Sequence, residues 1–127
     1  MGIEQDVPTM GPIVHTERLA DRELLISVSG ELDLHSVGEL QDALDEAISE
    51  SCELVVVDLG EVDFIDSIAL GALARASRRL RETNGALGVV ASNADVVRAF
   101  QITSLDRVIP MSSTKAEVLQ NLRASGV

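Results

Sequence analysis

Leu54-Val55-Val56-Val57-Asp58 is the stretch on which the fold turns. A short unbroken apolar run that ends at a carboxylate is the pattern of a central strand covered on both faces, and such a strand needs a parallel neighbour. Upstream, Glu23 to Ser29 alternates with Leu24, Ile26 and Val28 on one side. Ile13 to Leu19 reads as an edge strand joined to it through a turn at Asp21-Arg22. A loop from Gly30 to His35 leads to Ser36. There a hydroxyl with Glu39 three residues on forms a capping box for a helix whose inner face is Val37, Leu40, Leu44, Ala47 and Ile48. Glu39, Asp42, Asp45, Glu46 and Glu50 are left to solvent on that helix.

Downstream of the apolar run, a loop from Leu59 to Ile65 precedes a helix that begins at Asp66-Ser67 and ends near Thr83. Leu70, Leu73, Ala74, Ser77 and Leu80 point inward, and Asn84-Gly85 supplies a left-handed stop. Leu87 to Ala91 is the next buried strand. Ser92, with Asp95, opens a short helix through Val96, Val97 and Phe100. A brief strand at Val108-Ile109 is ended by Pro110, and Thr114 with Glu117 caps a last helix carrying Val118 and Leu122 inward. Strands alternating with helices predict an α/β fold, a single domain with a mainly parallel sheet of about five strands and helices packed on it. The expected boundaries are a loose leader over residues 1–12, the domain over 13–122 and a tail over 123–127.

The 127-residue length suits one domain, and 46% apolar with 24% charged residues is the balance of a chain that folds. Only 2% of the residues are aromatic, Phe64 and Phe100, so no stacking platform for single-stranded nucleic acid is present. A net charge of −11 repels nucleic-acid phosphates and anionic membranes alike, so neither is an expected partner. The lone Cys52 fits a reducing compartment and reads as a partly buried small side chain. With no membrane-length apolar run and no signal-peptide order at the N-terminus, the expected location is the cytoplasm.

Several chemistries lack their residues. The only lysine, Lys115, lies near the C-terminus and follows no glycine-rich phosphate loop, so ATP binding by this chain is not expected. His15 and His35 have neither metal-ligand spacing nor cysteine partners, and no metal or other cofactor is expected. Ser67, His35 and Asp33 make a triad on paper, but Ile65 and Ala69 stand where a nucleophile elbow needs glycines, so the chain is read as no enzyme.

The positive signal is Val62-Asp63-Phe64-Ile65-Asp66-Ser67-Ile68-Ala69-Leu70-Gly71, an apolar stretch followed by Asp-Ser at a helix start. A serine there lies beside free backbone N–H groups that stabilise an attached phosphate. The plainer reading makes Asp66 or Ser67 a helix cap and nothing more.

This stretch resembles the signature of STAS domains, specifically the bacterial anti-sigma-factor antagonists, whose phosphorylation loop reads Asp-Ser-Ser-Gly-Leu-Gly. Asp66, Ser67, Leu70 and Gly71 match it, and Gly30-Glu31-Leu32-Asp33 matches the family's Gly-Glu-Leu-Asp turn. The resemblance runs from about Ile13 to Leu122. It implies partner switching: the unmodified protein binds an anti-sigma factor, which releases a sigma factor, and is inactivated when that partner, a serine kinase that brings the ATP, phosphorylates it. A serine phosphatase would reset it. By the resemblance, Ser67 is the phosphoacceptor, Asp33 the loop carboxylate facing it, and Asp33, Asp66, Ser67, Ile68, Leu70 and Gly71 form the partner-binding surface. The expected assembly is a monomer or weak dimer. Ile68 and Ala69 replace the family's usual Ser and Gly, leaving Ser67 as the motif's one acceptor. The alternatives are a constitutive STAS scaffold, with Ser67 a cap, and a hydrolase using Ser67.

Overall fold

In the computed structural model, which describes residues 13–124, Leu54–Val57 lies at the centre of the sheet as expected. The elements in chain order are β1 (Ile13–Ala20), β2 (Glu23–Leu32), α1 (Gly38–Ser49), β3 (Leu54–Ile65), α2 (Ser67–Glu82), β4 (Ala86–Val90), α3 (Ala94–Ile102), a single 3₁₀ turn (Leu105–Arg107), β5 (Met111–Ser112) and α4 (Lys115–Ala124). Strands lie in the order β1-β2-β3-β4-β5. β1 pairs antiparallel with β2, and the other pairs are parallel. The expected leader, residues 1–12, and residues 125–127 of the expected tail lie outside the described residues.

The two faces of the sheet are covered unequally. Ile26, Val28, Val55, Val57, Leu87 and Val89 join the main core with the inner residues of α1, α2 and α3, including the fully buried Leu40, Leu73, Leu80 and Phe100. The opposite face, Leu25, Leu54, Val56 and Val90, is closed by Val118 and Leu122 of α4. This two-sided cover is why β3 reads as an unbroken apolar run, each such side chain contributing about 1.5–3 kcal/mol on burial. Gly88 in β4 sits directly under α4, where an added Cβ would meet Val118 Cγ1 at 2.5 Å.

The structure departs from the sequence reading at strand ends and caps. β2 does not stop at Ser29, nor β3 at Asp58. Their parallel pairing continues as Ser29↔Glu61, Gly30↔Val62, Glu31↔Phe64 and Leu32↔Ile65, across two register shifts. Gly30 adopts φ 100°, which a side chain disfavours, and this lets the strand bend at the second shift. Ser36 does not cap α1, which begins after Val37 without a side-chain cap. The Ser36 hydroxyl is taken by its own loop, donating to the Glu31 carbonyl at 2.7 Å and accepting from the Asp33 N–H at 3.0 Å. Asn93, not Ser92, caps α3, its Oδ1 accepting from the N–H groups of Asp95 and Val96. The last strand lies after Pro110, not before it: the Pro110 carbonyl accepts from Val89 N and the Ser112 carbonyl from Ala91 N. A proline without an N–H still serves the ladder as an acceptor. Thr114 caps α4 as expected, its hydroxyl accepting from Glu117 N at 3.2 Å. Asn84 at φ 65° supplies the left-handed stop of α2.

Candidate functional site

The register that extends β2 and β3 brings the two sequence motifs together. Because Leu32 pairs with Ile65, the turn after β2 and the start of α2 emerge side by side at one end of the sheet. Asp66 is the joint. Its backbone N–H donates to the Leu32 carbonyl at 3.0 Å, its Oδ1 accepts from Ala69 N at 3.0 Å, and its Oδ2 accepts from Leu34 N at 2.9 Å. One carboxylate thereby caps α2 and ties the β2–α1 loop to it, its charge placed where the helix dipole favours it.

Ser67, the first residue of α2, is exposed. Since Asp66 is the N-cap, the Ser67 hydroxyl has no capping duty, and among the described residues its side chain makes no hydrogen bond. Ala69 is fully buried, which suits a small residue at the position where the resembled motif carries glycine. Leu70 is buried too. Its side chain belongs to the core and holds α2 down, so its place on the expected partner-binding surface is corrected. Gly71 is half-buried on the outer side of the helix.

Asp33 shapes its own loop. Its Oδ1 accepts from the N–H groups of His35 and Ser36 at 3.0 and 3.1 Å, and its carbonyl accepts from Ser36 N and Val37 N. The link between this loop and α2 runs through Leu34 and Asp66; among the described residues Asp33 and Ser67 share no hydrogen bond. His35 meets Asp33 through its backbone, and no hydrogen bond from its ring reaches Ser67 among the described residues, so no Ser-His-Asp relay is assembled. No group of acidic, histidine or cysteine side chains among the described residues has the geometry of a metal site. No described helix is long and apolar enough to cross a membrane.

Three large apolar side chains from the segments at this end of the sheet are exposed to solvent: Leu34 at 62%, Phe64 at 48% and Ile68 at 44%. They come from the β2–α1 loop, the end of β3 and the first turn of α2, the three segments that Asp66 and the β2–β3 ladder draw together. Exposed apolar residues gathered at one loop cluster mark an interaction surface. Of these three exposed residues the sequence reading singles out Ile68 alone. The signal in the sequence was an apolar residue beside each motif, directly after Asp33 and two before Asp66. The charged neighbours are acidic: Glu31 and Asp63 are exposed, and Asp33 and Asp66 are half-buried.

Comparison with known proteins agrees with this geometry. The STAS domain family model matches residues 13–118. The anti-sigma-F factor antagonist RsfB of Mycobacterium tuberculosis is 28% identical over 103 residues, covering 81% of this chain and 84% of that protein. The crystal structure of an anti-sigma factor antagonist from Mycobacterium paratuberculosis superposes with a TM-score of 0.80 at 30% identity, over 88% of this chain and 94% of that one. The Bacillus cell-fate determinant SpoIIAA, solved in its phosphorylated form, shares the fold with a TM-score of 0.68 at 20% identity, over 87% of this chain and 99% of that one. A sheet edged by one antiparallel strand, an aspartate-capped helix opening on an exposed serine and a family match across most of the chain lead to one conclusion: this chain belongs to the STAS domain family, together with those anti-sigma-factor antagonists.

Proposed function

We propose that this chain is an anti-sigma-factor antagonist that binds an anti-sigma factor with serine-kinase activity, frees a sigma factor, and is switched off by phosphorylation at Ser67. The observation that carries the reading is an exposed serine hydroxyl, free of capping duty, at the end of the sheet whose segments also expose Leu34, Phe64 and Ile68, the apolar rim. The names of the relatives support it: RsfB and the Mycobacterium paratuberculosis protein are anti-sigma factor antagonists, and SpoIIAA has a phosphorylated form. In this reading the chain is no enzyme. The partner brings ATP, a serine phosphatase resets the switch, and the protein works in the cytoplasm as a monomer or weak dimer.

Physical chemistry supplies the mechanism. The unmodified surface offers the apolar rim to a partner, and burial of such side chains drives association. A phosphate on Ser67 lies next to N–H groups of the first turn of α2, which lack intrahelical acceptors and favour an anion. It also adds about −1.5 to −2 charges to a surface already carrying Glu31, Asp33, Asp63 and Asp66. A partner matched to the unmodified surface then meets repulsion and a desolvation cost at the centre of its interface, with no refolding of the antagonist. That Asp66 rather than Ser67 caps α2 supports the switch over a constitutive scaffold in which Ser67 is only a cap.

The test is intact-mass spectrometry after incubation with ATP, magnesium and each anti-sigma kinase of the same genome, for wild type and Ser67→Ala. One added phosphate on the wild type and none on the variant is the expected result. Stable co-elution with a kinase without any phosphate would overturn the switch, and no binding to any of them would overturn the antagonist reading.

A further inference from the structure

The face of α2 that begins at Ser67 does not end with the apolar rim. Residues 68, 71, 75 and 78 recur at spacings of three and four and share the solvent side of the helix with Ser67, while Ala69, Leu70, Leu73, Ala76, Ser77 and Leu80 face the core. Along about 16 Å of helix this face runs from Ser67 and Ile68, past Gly71, to Arg75 and Arg78. At Gly71 nothing projects, and a Cβ there would meet Arg75 Nη1 at 3.4 Å, so the Arg75 guanidinium leans back toward the switch end.

The charge of this face is out of keeping with the chain. The net charge is −11, yet four of the ten basic residues fall between Arg75 and Arg81. Arg79 is neutralised by Asp45 at 3.0 Å. Arg75, Arg78 and Arg81 form no ion pair among the described residues, although Asp42 of α1 lines the same groove as Arg75. The helix dipole accounts for Arg79 and Arg81, which stand in the last turn, but its effect fades within that turn and leaves Arg75 and Arg78 without a helical reason.

The geometry points to a docking surface longer than the switch: the outer face of α2 continues it, and Arg75 and Arg78 receive an acidic patch on the anti-sigma partner. This rests on the function proposed above. Two features support it, the unbroken helical face shared with Ser67 and Ile68, and a local charge opposite in sign to the rest of the molecule. In an acidic protein such a patch orients an acidic partner surface that the remaining molecule repels, which raises association rate and fixes register.

The test uses the full chain and whichever anti-sigma kinase binds the wild type, followed by surface plasmon resonance at low and high salt. Arg75→Glu with Arg78→Glu is compared with Arg98→Glu and Arg107→Glu, exposed arginines outside α2 that give the same change in net charge. The expected result is about a tenfold or greater fall in association rate and a flattened salt dependence for the α2 pair, with a smaller change for the control pair. Arg75→Gln with Arg78→Gln serves if the reversed pair unfolds, and should show the same effect in smaller size. Equal binding by the α2 and control variants would overturn the docking face while leaving the antagonist reading intact. Failure of the wild type to bind any anti-sigma kinase would overturn both.

Discussion

Replacing Asp66 with alanine separates the capping role of Asp66 from the role proposed for its neighbour Ser67. The carboxylate caps α2 through Ala69 N and holds the β2–α1 loop through Leu34 N. Loss of an N-cap costs about 1 kcal/mol. The second hydrogen bond, to a charged acceptor, adds about 1–1.5 kcal/mol, taken at the low end because Leu34 is exposed. The expected loss is therefore about 2 kcal/mol, or about 6–8 °C in melting temperature for a chain of this size. Asp66→Asn should lose about half of it, because asparagine caps as well as aspartate but has one acceptor oxygen for two N–H donors. Ser67→Ala should stay within about 0.5 kcal/mol of wild type, its hydroxyl being exposed and unpartnered. Urea unfolding with a shared m-value measures all three. A Ser67→Ala loss above about 1 kcal/mol, or an Asp66→Ala loss below about 0.5 kcal/mol, would show that the capping assignment is wrong.

Three further outcomes follow from the packing. Phe64→Ala and Ile68→Ala should leave stability nearly unchanged but weaken binding to the anti-sigma partner about tenfold each by calorimetry, because both side chains are half exposed in the rim; unchanged affinity would remove them from the interface. Gly88→Ala places a Cβ 2.5 Å from the stiff Val118 side chain, so a loss of about 1–3 kcal/mol and faster amide exchange in α4 than in β3 are expected, and wild-type stability would contradict the close approach. Burial, with the Glu50 charge adding to it, pushes the Cys52 thiol above its ordinary range. The unfolded chain therefore ionises first as pH rises, and stability held below the ordinary thiol value of about 8.5 is lost progressively as pH rises above it. The urea midpoint of wild type should drop more steeply there than that of Cys52→Ala, and parallel curves would refute the linkage.

What could be read from the sequence alone follows physical locality. Leu54–Val57 declared a central strand because burial on both faces leaves an unbroken apolar run, and α2 declared itself by its inward stripe and the Asp-Ser start. The far halves of β2 and β3 did not. Gly30, Gly60 and the charged Glu31, Glu61 and Asp63 look like loop residues, and only the parallel pairing of one segment with the other makes strands of them. Caps failed where a neighbour took the hydroxyl or its place: the Ser36 hydroxyl serves Glu31 and Asp33, and Asn93 Oδ1 accepts from the first-turn N–H groups in place of Ser92. At the site, Asp66 and Ser67 were legible as a pair, but which of them caps the helix was decided by three-dimensional geometry. Leu34 and Phe64 joined the rim only once the β2–β3 register set their loops side by side.

The most direct measurement of the central claim is the affinity of one anti-sigma partner for this chain before and after stoichiometric phosphorylation of Ser67, by isothermal titration calorimetry. The account predicts binding by the unmodified protein and at least about tenfold weaker binding once the phosphate adds its charge beside Asp66 and Asp63. Equal affinity of the two forms would contradict it.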